Sequence, residues 1–323
     1  MTHKILSTSP SFGYFASEPL EYLKSHGCEW DLLPQGKKIS QEELTDRIKG
    51  YDAIVVGMEE KITEGVLDAA VRLKVIAKHG AGVDNIDVGA ATKKGIPVVS
   101  AAGANSDAVA DLTIGLFISL ARRIPFADRS VKEGKWPRIA GLQMNGKVLG
   151  IIGLGQIGKK VARRATGFDM KVLSYDVVKD EPFAEKWGIT YLPLEEVLAQ
   201  ADFISIHIPL IPSTRGLIGE KELRLMKKDS FLVNVSRGTI VDEEALYRAL
   251  NEGRIRGAAL DVFGQEPAGE NPLLKLDNFI STPHMAGYTQ EALIETGMIC
   301  VRAIVEVLNG RRPQNVINPQ VLK

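Results

Sequence analysis

The chain has 323 residues, 45% of them apolar and 25% charged, the composition of an ordinary globular protein with room for two domains, each with its own core. Its 40 lysines and arginines balance its 40 aspartates and glutamates, which leaves no basic field to draw in nucleic acid and no acidic tail. Cys28 and Cys300 lie far apart without a C-x-x-C pair or a His-rich neighbourhood, which argues against a disulfide scaffold and a metal site. No apolar run reaches the roughly 20 residues of a membrane span, and Met1-Thr-His-Lys-Ile lacks the apolar core of a signal peptide. A cytoplasmic protein that handles a small molecule, with two reduced, packed thiols, is expected.

Short β-rich runs alternate with helical stretches almost throughout, the pattern of parallel sheets covered by helices on both faces. Strands are expected over residues 4–8, 53–57, 74–78 and 96–100, with helices over 17–26, 41–49 and 63–70 between them. They form a first, smaller α/β unit. From Asn105 the pattern changes to a long helix over 107–122, too apolar around its circumference to face water on any broad side. A domain interface and a subunit interface are both open as the place that buries it. A charged and aromatic segment, 124–137, follows, in which Trp136, like Trp30 and Trp187, is expected to fill a core or an interface rather than stack on a ligand. Beyond residue 148 the rhythm resumes, with strands over 171–175, 203–208, 231–235, 258–263 and 279–282. This is a second, larger unit. The last apolar helix, 290–308, ends at Gly310 ahead of Pro313 and Pro319, and neither an internal repeat nor a low-complexity segment occurs.

An apolar strand from Val148 runs into Gly153, Gly155 and Gly158, at G-x-G-x-x-G spacing, and then into a helix over 156–166. Gly153 lets the chain turn out of the strand, Gly155 lets backbone approach a pyrophosphate, and Gly158 lets the helix sit close on the sheet. Alone such a turn is weak evidence of a dinucleotide site, and a purely structural glycine turn is the alternative. Here the next strand ends on Asp176, eighteen residues past Gly158, where a carboxylate accepts both ribose hydroxyls of adenosine and repels a 2′-phosphate. That order favours NAD.

Three later segments carry unusual polar residues at strand ends: Asn234-Val-Ser-Arg237-Gly-Thr, Leu260-Asp261-Val-Phe-Gly-Gln-Glu266-Pro and Ser281-Thr-Pro-His284-Met-Ala-Gly287. Ligands of open α/β sheets bind beyond the carboxyl ends of strands. An arginine fork grips a carboxylate, a histidine moves a proton near neutral pH, and a glutamate orients its ring. With a nicotinamide this equips a site to reduce a 2-oxo acid or oxidise a 2-hydroxy acid without a metal. Singly, each of the three reads as a solvated arginine, a structural histidine or a turn glutamate; their joint position behind the glycine turn favours function. His3, His26 and His79 have no such company, and His207 in His207-Ile-Pro209 lies near the cofactor by position without a part in proton transfer.

Together these motifs, with Lys78-His-Gly-Ala-Gly82-Val-Asp-Asn-Ile-Asp87, resemble the D-isomer-specific 2-hydroxyacid dehydrogenase family of glyoxylate/hydroxypyruvate reductases, D-lactate dehydrogenases and phosphoglycerate dehydrogenases. The resemblance covers almost the whole chain. It implies an α/β fold of two doubly wound parallel-sheet domains, in which a Rossmann NAD domain, 102–288, is inserted in a smaller flavodoxin-like substrate domain, 1–101 plus 289–323. It implies that Arg237 binds the substrate carboxylate and carbonyl, His284 is the acid/base and Glu266 holds its ring, with backbone N–H groups at Ala81 and Gly82 completing the carboxylate site. Gln156 and Ile157 then lie at the pyrophosphate, Asp176 at the ribose and Asp261 at the nicotinamide amide. His207, Pro209, Thr214, Val235, Ser236 and Gly287 line the rest of the cofactor pocket. A homodimer joined through 105–146 is also implied.

Departures from the family pattern narrow the expectation. Gly57-Met58-Glu59 stands where phosphoglycerate dehydrogenases carry Arg-Ser-Arg, so a phosphorylated substrate is not expected, nor is a regulatory tail after Lys323. Asp111 stands where many relatives have glutamate. Residues near Met58, Ala101, Leu142 and Tyr288 are expected to set the substrate side chain. A non-catalytic NAD(H)-sensing scaffold of the same fold is the second reading.

Overall fold

The structure, a computed structural model, describes residues 2–34 and 37–322. Met1 and Lys323, where the sequence places the outer bounds of the first domain, lie outside the described residues. The chain divides into two compact units, one built from residues up to Asn105 and from Tyr288 onward, the other from Ser106–Gly287.

In the first unit β1 (His3–Ser7), β2 (Cys28–Leu32), β3 (Ala53–Val56), β4 (Val75–Lys78) and β5 (Val98–Ser100) form a sheet of order β2-β1-β3-β4-β5, every pair parallel. β3 and β4 are buried at every position, as continuous apolar runs must be when helices cover both faces. Ile5, Val55 and Ala77 pack on Cys300, Val301 and Ile304 of the helix Gln290–Leu308. Leu6, Ile54 and Ile76 point the other way, onto Leu44, Val66 and Leu67. The segment after that helix returns along β5, where the buried side chain of Asn318 accepts from Val98 N–H at 2.8 Å and donates to Ile96 O at 3.0 Å.

In the second unit β6 (Val148–Ile152), β7 (Lys171–Tyr175), β8 (Thr190–Tyr191), β9 (Phe203–Ile206), β10 (Phe231–Asn234), β11 (Gly257–Leu260) and β12 (Phe279–Ser281) form a sheet of order β12-β11-β10-β9-β6-β7-β8, again all parallel. The order reverses between β6 and β9, where the carboxyl ends of the strands open a crevice. Both sheets are the doubly wound parallel kind expected. β2 and β8 are not apparent from the sequence. The first is a sheet-edge strand that mixes Glu29 and Asp31 with apolar residues, and the second has only two residues.

The long helix, Ser106–Arg122, needs neither interface considered above. Val109, Phe117, Leu120 and Ala121 pack with Leu149, Val161, Phe203 and Phe231 inside the second unit's own core, and the Phe117 ring meets Phe203 edge-on at 5.3 Å. Its outward face carries Asp107, Asp111, Gly115 and Arg122. Asp107 pairs with Lys160 at 2.5 Å and Asp111 with Arg164 at 2.6 Å, so both tie this helix to Gln156–Thr166. That gives Asp111 a physical account. The charged segment 124–137 contains a helix, Ile124–Lys132. Trp136 is 80% exposed and fills no core of this chain, whereas half-buried Trp187 takes the Arg163 guanidinium over its ring at 5.2 Å. Among the described residues no helix is long and apolar enough to cross a membrane.

Removing the Phe117 ring by Phe117→Ala is expected to destabilise the second unit by about 3–5 kcal/mol, the usual cost of an emptied aromatic site. Asp111→Asn, which breaks an exposed pair, is expected to cost under about 1 kcal/mol. Urea titration of the two variants checks this; equal losses would contradict the packing described.

Candidate active site

The glycine turn between β6 and the helix Gln156–Thr166 is built by close approach. Gly153 has φ +97, and its N–H donates to Tyr175 O at 2.8 Å. A Cβ on Gly158 would overlap Gly153 O, so only glycine lets the helix start this near the strand. Around Gly155 nothing lies within 4 Å of where a Cβ would be, which leaves open space beside the free N–H groups of the first helical turn, at Gln156 and Ile157. These residues fit a dinucleotide pyrophosphate. Asp176, at the end of β7, accepts from Leu154 N–H at 2.6 Å through Oδ2 and from Val178 N–H at 3.0 Å through Oδ1. Its carboxylate therefore braces the turn, and further lone pairs remain for hydroxyl donors.

Glu266 and His284 come together, six residues past β11 and three past β12. His284 Nδ1 lies 2.8 Å from Glu266 Oε2, and Glu266 Oε1 accepts from Phe263 N–H at 3.0 Å. With Nδ1 turned to the carboxylate, Nε2 is the nitrogen left to meet another molecule. Arg237 follows β10 on a turn pinned by buried Asn234: Oδ1 accepts from Ser236 N–H at 3.0 Å and Ser236 Oγ–H at 2.7 Å, while Nδ2 donates to Arg237 O at 2.9 Å. Asp261, fully buried after β11, accepts from Thr282 Oγ1–H at 2.6 Å, Met285 N–H at 2.9 Å and Ala286 N–H at 2.9 Å. Burial pushes its carboxyl up from the ordinary range, against the pull of those hydrogen bonds.

Two packing residues of this site are not apparent from the sequence. A Cβ on Gly238 would overlap the Phe263–Gly264 backbone, so the turn that carries Arg237 packs directly on the loop that carries Glu266. Glu243 accepts from Gly264 N–H at 2.5 Å and Asn271 Nδ2 at 2.5 Å, fixing the same loop. Thr214 closes its own turn, donating to Pro209 O at 2.7 Å and accepting from Ile211 N–H at 2.9 Å. His207 Nε2 lies 3.0 Å from Ser205 Oγ, and burial holds the ring down to about 3, so it stays neutral at pH 7.

In the first unit, Ser100 Oγ–H donates to Ala81 O at 2.7 Å and so sets the loop of Ala81 and Gly82. Lys78, Asn85 and Glu60 knot that region together. Lys78 Nζ donates to Gly57 O and, at 2.7 Å, to Asn85 Oδ1, while Asn85 Nδ2 donates to Glu60 O at 2.6 Å. Glu59 pairs with Lys38 at 3.0 Å, and Met58 is exposed. His79 has more company than the sequence suggests: Ser9 Oγ at 3.0 Å, Ser11 Oγ at 3.3 Å and the Phe12 ring at 5.7 Å surround it, and burial holds it down to about 4.

Residues 114–286 match the family model described as D-isomer specific 2-hydroxyacid dehydrogenase, NAD binding domain. The chain is 48% identical to a D-3-phosphoglycerate dehydrogenase of Methanocaldococcus jannaschii over 87% of its own length and 54% of that protein. It spans about half the length of several such relatives. A glyoxylate reductase of Korarchaeum cryptofilum is 41% identical over 91% of both chains. Among solved structures, the TT0316 protein of Thermus thermophilus superposes with a TM-score of 0.90 at 34% identity, covering 97% of this chain and 99% of that one.

Buried His79 and half-buried His207 titrate near 6.5 in an unfolded chain and lower in the folded one. The unfolded chain thus binds more protons in that window, and stability present above about pH 6.5 is lost as pH falls. Each ring is expected to add a slope of about 1.4 kcal/mol per pH unit between roughly pH 6 and 5. Urea titrations over that range check it. His79→Gln and His207→Gln should each flatten the slope, and an unchanged slope in both variants would contradict the assignment.

Proposed function

Since the chain belongs to the D-isomer specific 2-hydroxyacid dehydrogenase family, we propose that it is an NAD-dependent dehydrogenase that interconverts a small D-2-hydroxy acid and its 2-oxo acid. The observation that carries this reading is the 2.8 Å pairing of His284 with Glu266 on strand ends of the unit that holds the glycine turn. When bound, the nicotinamide supplies or takes the hydride at C2. Arg237 grips the carboxylate and polarises the carbonyl. His284 Nε2 gives a proton to the carbonyl oxygen in reduction and takes one from the hydroxyl in oxidation. Glu266 keeps the ring in the right tautomer and stabilises the imidazolium that this exchange requires. Asp176 selects NAD over NADP by repelling a 2′-phosphate.

The substrate of this reading carries no phosphate. Glu59 after β3 is a carboxylate already paired with Lys38, a poor partner for a second anion. The sensor reading lacks support, because nothing in such a scaffold needs an oriented acid/base. We also propose a cytoplasmic homodimer. Its supports are two free, buried thiols and the exposed Ile124 (46%), Val131 (50%) and Trp136 (80%) within the segment that joins subunits in the resemblance.

A spectrophotometric screen with NADH and NADPH over glyoxylate, hydroxypyruvate, pyruvate, bulky 2-oxo acids and a phosphorylated one is expected to show turnover with NADH and an unphosphorylated acid. His284→Ala is expected to cut that turnover by at least about a hundredfold, a typical general-acid contribution, with NADH still bound. Tight dinucleotide binding without turnover of any acid by the wild type would favour the sensor instead. Sedimentation equilibrium is expected to give twice the chain mass; a monomer that persists at high concentration would contradict the dimer.

A further inference from the structure

Asp261 is the one fully buried carboxylate of the second unit among the described residues, and a single loop takes up its acceptors. Leu260 and Ser281 are register partners across β11 and β12, so the residue that follows β11 stands beside the loop 282–286 that follows β12. Four donors of that loop end on it. Oδ1 accepts from Thr282 Oγ1–H and Met285 N–H, Oδ2 accepts from Ala286 N–H, and the main-chain carbonyl accepts from His284 N–H at 2.8 Å. In the middle of these donors His284 has φ +53. A residue with a β-carbon holds that left-handed conformation only where its surroundings impose it. Successive N–H groups that flank such a residue converge naturally on one anion.

We propose that Asp261 is a positioning residue for proton transfer at His284: its carboxylate holds loop 282–286 in the left-handed turn that aims Nδ1 at Glu266 and leaves Nε2 outward. This rests on the reading of His284 as the acid/base given above. It is distinct from contact with the nicotinamide amide, the role the resemblance implies, since three of the carboxylate's lone-pair sites serve the loop. An asparagine cannot replace it. One of the two acceptor positions becomes an amide donor facing a loop N–H, and a buried donor without an acceptor is left behind.

The test uses the full chain with Asp261→Asn and, as a milder change that keeps the carboxylate, Thr282→Val. Asp261→Asn is expected to keep its affinity for NADH while single-turnover hydride transfer at saturating NADH falls by about a hundredfold, the order expected of an ångström-scale misplacement. Thr282→Val should fall in the same direction by less, and it decides the matter if the first variant does not fold. Nitrogen NMR of the His284 ring, which needs no turnover, should show the Nδ1 hydrogen bond to Glu266 weakened in both variants. Weaker NADH binding with unchanged hydride transfer at saturation would overturn the proposal in favour of a cofactor contact. An unchanged ring spectrum would also overturn it. If the wild type turns over no 2-oxo acid, the acid/base reading fails separately, and the ring spectrum alone decides the loop.

Discussion

The hydrogen bond between His284 Nδ1 and Glu266 Oε2, at 2.8 Å, decides which nitrogen of the ring can meet another molecule. A carboxylate accepts only, so it keeps the Nδ1 proton in place and leaves Nε2 to exchange. Its geometry is expensive locally, since a left-handed conformation at a residue other than glycine costs about 1–3 kcal/mol. The structure meets that cost with the four donors that end on Asp261 and with Phe263 N–H on Glu266.

Parallel strands make this arrangement reachable. Every strand of the second unit ends at the same edge of its sheet, so the loops after the adjacent strands β10, β11 and β12 become neighbours whatever their separation in sequence. The loops are then fixed by polar side chains that have nowhere else to bond. Asn234 pins the turn of Arg237, Glu243 pins the loop of Glu266, and Gly238 lets the two pack backbone against backbone. The glycine turn follows the same logic, with Asp176 serving both as brace for Leu154 N–H and as a carboxylate at the end of β7.

Much of this was legible because the signals are local. Continuous apolar runs such as Phe231-Leu232-Val233 mark strands buried on both faces, and the glycine spacing marks a turn whose need for glycine is set by the chain itself. The edge strand Cys28–Leu32 and the two residues of β8 carry no such pattern. Short helices were readable in principle: Asp242 caps Glu243–Asn251 through Glu244 N–H and Ala245 N–H, and an acidic cap before Glu-Glu-Ala-Leu is a sequence signal. The helix Ser106–Arg122 shows the opposite failure. Its apolar circumference was plain, but only tertiary packing reveals that its own sheet buries it and that Asp107 and Asp111 take one face to Lys160 and Arg164. The place of Gly238 against Phe263, and of His79 among Ser9, Ser11 and Phe12, depends on partners far away in sequence. No single motif holds that information.

A crystal structure of the chain with NAD and oxamate, an unreactive mimic of a 2-oxo acid, tests the account most directly. The account predicts His284 Nε2 within about 3 Å of the oxamate carbonyl oxygen, Nδ1 still on Glu266, and the Arg237 guanidinium on the carboxylate. Oxamate bound elsewhere beside an ordered dinucleotide, or a ring turned so that Nδ1 leaves Glu266, would contradict it.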